Sequence, residues 1–171
     1  MVLWHARMRF VGRLLESIAY WLATGFGTGF SPIAPGTVGC VVGLPLAWIL
    51  YRFLPLPAIQ ALVLSGLSLV GVYSCQLASQ RLGQKDPPSV VWDEIVAIAW
   101  TLFALPPAAR AYWPVWLLGF VLFRIFDISK LQPAGWLERL PGGWGIMADD
   151  LAAALYANVL LQIAVRWYLY R

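Results

Sequence analysis

The chain has 171 residues, of which 61% are hydrophobic and only 12% charged. Soluble globular domains carry roughly 25% charged residues, so this composition excludes a water-soluble fold and implies one membrane-embedded domain, residues 1–171. The net charge of +4 does not indicate a nucleic-acid partner, because the basic residues are scattered between apolar runs instead of clustered on a polar face.

In chain order, the N-terminal MVLWHARMRFVGRLLES is basic but lacks an apolar core with a small-residue cleavage site, so it does not read as a signal peptide. The apolar stretch 15–30 is broken by Gly25, Gly27 and Gly29 and is expected to form a short, re-entrant or interfacial helix. Five runs then approach the ~20 apolar residues that a spanning helix needs: 38–54, 58–78, 90–105, 112–126 and 151–170. The expected fold is all-α, a polytopic membrane bundle of four to five transmembrane helices plus the short N-terminal or re-entrant helix. Trp and Tyr near the run ends fit an interfacial belt.

If each run spans once, segments 24–39, 79–89 and 127–150 share one side of the membrane with the N-terminus. That side carries Arg7, Arg9, Arg13, Arg81, Lys85, Arg124, Lys130 and Arg139, against Arg52, Arg110, Arg166 and Arg171 on the other. The positive-inside bias makes the shared side cytoplasmic. Every acid, from Glu16 to Asp150, falls there too.

Three segments therefore converge at one membrane surface. GFGTGFSPIAPGTVG (25–39) carries glycines, Ser31 and Thr37. Such a loop either turns the chain or brings backbone N–H groups close to a phosphate. It is not a P-loop, since no Gly-Lys-Ser/Thr follows. In SVVWDE (89–94), Asp93 and Glu94 sit inside apolar sequence. Acids in a first helical turn are favoured by the macrodipole, but charges at membrane depth more often mark a polar, functional cavity. In the third segment Arg124, Asp127 and Lys130 recur at i, i+3, i+6, and Gly142, Gly143 and Gly145 precede Asp149-Asp150. Paired carboxylates repel unless a cation or proton lies between them, and separated carboxylates on one face suit Mg²⁺. Acids, Mg²⁺, basic groups and glycine loops at a bilayer surface suit phosphoryl transfer on a lipid substrate. A small membrane transporter or ion-binding protein is the alternative; it would place polar residues at several depths, whereas the acids here gather at one end.

Cys75 and Arg81 match a thiolate-phosphatase spacing, but QLASQ between them has no glycine and ends an apolar helix, so the match is set aside. The single histidine, His5, lies in the N-terminal tail, against a histidine-based site. A phosphotransferase of the CDP-alcohol type would need spaced aspartates with Asp-Gly and Ala-Arg companions on one pair of helices, a combination the sequence does not contain.

Three blocks in order, GFGTGFSPIAPGTVG, SVVWDEIVAIAWTLFALP, and GFVLFRIFDISKLQP with GGWGIMADDLAAALYA, make the chain resemble the phosphatidylglycerophosphatase A family over most of residues 24–157. The resemblance implies Mg²⁺-dependent removal of the phosphate monoester of phosphatidylglycerophosphate, at the cytoplasmic face of the bacterial inner membrane. It carries over Asp93, Glu94, Asp127, Asp149 and Asp150 without assigning their roles. Two departures stand out. Asp86-Pro87-Pro88 replaces a frequent Asp-His-Gly, which removes any histidine role there, and Lys130-Leu131-Gln132-Pro133 keeps only the lysine and final proline of Lys-Pro-Trp-Pro. The expected site is a metal centre of Asp93, Glu94, Asp149 and Asp150, with Asp127 as a further ligand or acid/base. Arg124 and Lys130 are expected to hold phosphate, helped by Ser31, Thr37 and Gly143. No feature requires a homo-oligomer, and none excludes one.

Overall fold

A computed structural model describes the backbone of residues 2–169 and the side chains of residues 12–169. The side chains of His5, Arg7, Arg9 and Arg171 lie outside the described residues. The described chain is helical throughout, in the order α1 (Val2–Ala23), a 3₁₀ turn (Gly25–Phe30), α2 (Pro35–Phe53), α3 (Pro57–Leu82), α4 (Trp92–Thr101), α5 (Pro107–Arg110), α6 (Trp113–Ser129), α7 (Ala134–Leu137) and α8 (Gly143–Leu169). Prolines open α2, α3 and α6 at the position where a missing N–H costs nothing. Gly83, at φ 66°, closes α3 in the left-handed region. The break expected within 15–30 falls after Ala23, where Gly25, Phe26 and Gly27 all take positive φ.

Among the described residues, three helices, α2, α3 and α8, are long and apolar enough to cross a membrane. The membrane-embedded, all-α reading therefore holds, and the count of four to five spans is approximate. Two expected runs fall short: run 112–126 forms α6, of 17 residues, and run 90–105 is shorter still. It forms a helix of only 10 residues, about 15 Å long, half of a hydrocarbon core of about 30 Å. α4 is enclosed by protein, packed mainly between α2 and α8, with Val96, Ala97 and Ile98 fully buried. Gly39 and Gly43, one turn apart on α2, permit this. A Cβ on Gly43 would lie 2.2 Å from Ile98 Cγ2 and 2.5 Å from the Ile95 carbonyl oxygen, so only the smallest side chain allows the two backbones to approach.

A helix that stops inside a membrane protein exposes carbonyls that water cannot reach. α8 satisfies them. Asn158 Nδ2 donates to the carbonyls of Thr101 and Phe103, each at 2.9 Å, and Gln162 Nε2 donates to Phe103 at 3.0 Å. Asn158→Leu is expected to lower unfolding stability in mixed micelles by about 1–3 kcal/mol, the cost of an unsatisfied buried acceptor. A stability equal to wild type would remove this account of how α4 ends.

One end of the molecule gathers the start of α2, the start of α4, the end of α6 and the early turns of α8. The loop after α3 and the end of α1 close over it, tied by the Val91 N–H to the Ala23 carbonyl at 2.9 Å. The opposite end carries Arg52, Arg110 and Arg166 in the last turns of α2, α5 and α8.

Candidate active site

The first turn of α4 presents Asp93 and Glu94. They sit there because the turn before α4 brings Val91 against α1, through its N–H to the Ala23 carbonyl, and against Gly39 of α2. α8 begins at Gly143, eight residues before the predicted run, so Asp149 and Asp150 lie in its second turn and not at its start. Oxygens of Asp93, Glu94 and Asp150 all come within 4.8 Å of one another. Asp93, Asp149 and Asp150 are buried. Four carboxylate oxygens, Asp93 Oδ1, Glu94 Oε2, Asp149 Oδ1 and Asp150 Oδ2, are buried without a hydrogen-bond partner. Buried carboxylates converging this closely need a counter-charge or protons. An all-oxygen set with unsatisfied lone pairs fits a hard divalent cation.

The cations come from the end of α6. Arg124 Nη1 donates to Asp127 Oδ2 at 2.6 Å, and Lys130 Nζ lies 3.6 Å from Asp127 Oδ1. Lys130 also pairs with Asp149 Oδ2. It closes α6 at φ 47°, a left-handed conformation uncommon for lysine, and this turns its ammonium toward α8. Burial works against that ammonium, but the Asp149 hydrogen bond and the charges of Asp149, Asp150 and Asp127 hold its pKa above the ordinary lysine value. Arg124, Asp127, Lys130 and Asp149 thus form a continuous ion-paired chain beside the three-carboxylate cluster.

These groups line a cavity of about 260 Å³. Its remaining wall is Ala34-Pro35-Gly36 at the start of α2, with the Asp86-Pro87-Pro88 loop opposite. Gly36 was not singled out by the sequence. A Cβ there would lie 2.2 Å from Glu94 Oε1 and 3.4 Å from Arg124 Nη1, so this position needs the close backbone approach that glycine allows. Its only signal was membership of the glycine-rich block. Asp86 is exposed at the rim.

The structure brings Asp93, Glu94, Asp127, Asp149, Asp150, Arg124 and Lys130 together around one cavity. It places the other three expected residues elsewhere. Ser31 bonds within its own turn, to the Ile33 carbonyl at 2.9 Å. Thr37 follows Gly36 in α2 but does not line the cavity. Gly143 gives its N–H to Gln76 Oε1 at 2.9 Å, and a Cβ there would meet the Val72 carbonyl oxygen at 1.9 Å. It is the contact at which α8 packs on α3. Asp149, expected among the metal ligands, has one oxygen on Lys130 and lies outside the close three-carboxylate group. Cys75 is fully buried, and Arg81 stacks over Tyr20 at 4.4 Å, so that pair forms no anion loop.

An all-helical membrane protein with buried carboxylates facing a lysine and an arginine in one small cavity is a membrane-embedded enzyme of the phosphoryl-transfer kind. Comparison with known proteins narrows the class. The chain belongs to the phosphatidylglycerophosphatase A family, whose family model matches residues 21–165. It is 41% identical over 148 residues to phosphatidylglycerophosphatase A of Escherichia coli K12, covering 85% of this chain and 83% of the relative. It is 39% identical over 150 residues to the Haemophilus influenzae protein of the same name, covering 86% and 89%. Identity is also 39%, over 150 residues, to a Bacteroides thetaiotaomicron protein provisionally named phosphatidylinositol-3-phosphatase, covering 85% and 92%. No solved structure matches the chain.

Proposed function

We propose that this protein hydrolyses the phosphate monoester of phosphatidylglycerophosphate to phosphatidylglycerol and inorganic phosphate, with Mg²⁺, at the cytoplasmic face of a bacterial inner membrane, as a step of phospholipid biosynthesis. The observation that carries the reading is the convergence of Asp93, Glu94 and Asp150 oxygens within 4.8 Å, beside Lys130 and Arg124 in one cavity. Two relatives of about 40% identity carry the name of this activity. Orientation is supported by Arg81, Lys85, Arg124, Lys130 and Arg139 near the site end, against Arg52, Arg110 and Arg166 at the other.

In this reading Asp93, Glu94 and Asp150 hold the cation, with Asp149 adjacent. When bound, the cation supplies stabilisation of the negative charge on the phosphoryl oxygens. Lys130 and Arg124 bind phosphate oxygens by charge-assisted hydrogen bonds. Asp127, engaged by both cations, fixes their direction, and Asp149 holds Lys130 over the cavity. In net terms an oxygen from water becomes bonded to phosphorus as the bond to the glycerol oxygen breaks, and the glycerol oxygen takes up one proton from that water. The enclosing α2 and α4 backbones restrict bulk water, which strengthens each of these interactions.

Phosphate release from phosphatidylglycerophosphate by the purified protein tests the reading directly. With Mg²⁺ release is expected, and excess chelator should lower it by at least about 10²-fold. Release that survives chelation would remove the metal. No release from folded protein would return a membrane transporter to the front. Phosphatidylinositol 3-phosphate belongs in the same assay, because one relative is named for that substrate. Faster release from it would change the substrate assignment and leave the site unchanged.

A further inference from the structure

Arg124 lines two spaces at once. Its guanidinium faces the carboxylate cavity. Arg124 also lines a second, open groove of about 430 Å³ along α6, with Phe120, Val121, Ile125, Ile128 and Ser129. Val121, Ile125 and Ile128 are exposed there, Ile128 at 71%. α2 and α6 make few contacts with each other, and between them the Arg124 guanidinium reaches the start of α2 at Gly36. A larger apolar groove of about 620 Å³ lies between α3 and α8, but it shares no residue with the cavity.

The geometry points to lateral access along α6, with the diacylglycerol part of the lipid seated in the α6 groove and its phosphodiester held by Arg124. This rests on the phosphatase reading above. Phosphatidylglycerophosphate carries two phosphates, a diester on the diacylglycerol side and a terminal monoester, joined by a three-carbon glycerol. The groove along α6 is apolar on both sides of Arg124, with Phe120 and Val121 before it and Ile125 and Ile128 after it, while Asp127 and Lys130 of the same helix end line the carboxylate cavity. Charge complementarity selects the occupant, since an apolar groove with an arginine in its lining suits an anionic lipid. Asp127 engages one nitrogen of the guanidinium and Cys40 shares a side-chain hydrogen bond with it, and of its five N–H donors others remain to meet a diester oxygen. The two cations then divide the work, Arg124 on the diester and Lys130 on the monoester that is cleaved.

Two lipids with the same diazirine-bearing acyl chain test this in mixed micelles. Phosphatidylglycerol has the diester and no monoester; phosphatidic acid has the monoester and no diester. Mass spectrometry after illumination is expected to find both on residues 120–129. Arg124→Gln should lower phosphatidylglycerol labelling by about 10- to 100-fold relative to phosphatidic acid labelling, the range of a charge-assisted hydrogen bond. Arg124→Lys, which keeps the charge, should restore part of it and so separates loss of recognition from loss of folding. Labels confined to α3 and α8, or equal losses of the two probes in Arg124→Gln, would overturn the proposal. The labelling needs no turnover, so failed phosphate release with label on α6 would sink the phosphatase reading alone.

Discussion

Asp150→Asn is expected to lower phosphate release by at least about 10²- to 10³-fold while leaving the protein folded and membrane-inserted. The magnitude is that of removing one electrostatic contributor from a preorganised site. Asp150 is 4% exposed, reaches Asp93 and Glu94 from a different helix, and leaves Oδ2 without a partner. It is the only member of the three supplied by α8, so its charge joins the α4 and α8 halves of the cluster. The amide keeps the shape and removes the charge. In excess chelator, the variant should melt no lower than wild type, because uncompensated buried carboxylates repel and neutralising one relieves that cost. Glu16→Gln, at an exposed acid on α1, should change neither property. A normal rate for Asp150→Asn would remove the carboxylate cluster from the chemistry. A lost rate with a markedly lower melting temperature would make Asp150 a structural residue.

Much of this site could be read in the sequence because charge is conspicuous in an apolar chain. Asp93, Glu94, Asp127, Asp149, Asp150, Arg124 and Lys130 stood out for that reason, and the helical spacing of 124, 127 and 130 forecast their shared stripe. What was hidden depended on packing. Run 90–105 has the composition of a span, and hydropathy cannot distinguish lipid from apolar protein as its surroundings. Only the amides of Asn158 and Gln162, which read as isolated polar residues in the last run, reveal that a helix ends at their depth. The glycines were ambiguous for a related reason. Gly143 and Gly36 both lie in glycine-rich blocks. One closes a helix–helix contact and the other borders the cavity, and that difference appears only when α3 or Glu94 is seen opposite. Asp149 and Asp150 are adjacent in sequence but diverge by about 100° on a helix, which sends one to Lys130 and the other to the α4 acids.

Gly36→Ala is the substitution in which fold and chemistry separate most cleanly. The added methyl would lie 2.2 Å from Glu94 Oε1 and 3.2 Å from its carboxyl carbon. The obstacle is the end of a side chain and not backbone, so the helix can stay in place while Glu94 swings away. Alanine is moreover the better helix former in the first turn of α2. Stability should therefore change by less than about 1 kcal/mol. Activity should not follow stability. Glu94 contributes an oxygen to the three-carboxylate group, and the room it would move into is bounded by Arg124. Displacing its carboxylate by about 1 Å is expected to cost about 10²-fold in kcat. Raising Mg²⁺ should recover part of the loss, because a distorted donor set binds the cation less tightly without losing its charge. Unchanged activity in Gly36→Ala would show that Glu94 tolerates displacement and stands outside the functional group. Equal losses of rate and melting temperature would show instead that Gly36 serves the packing of α2 on α4, as Gly43 does about two turns further along the same helix.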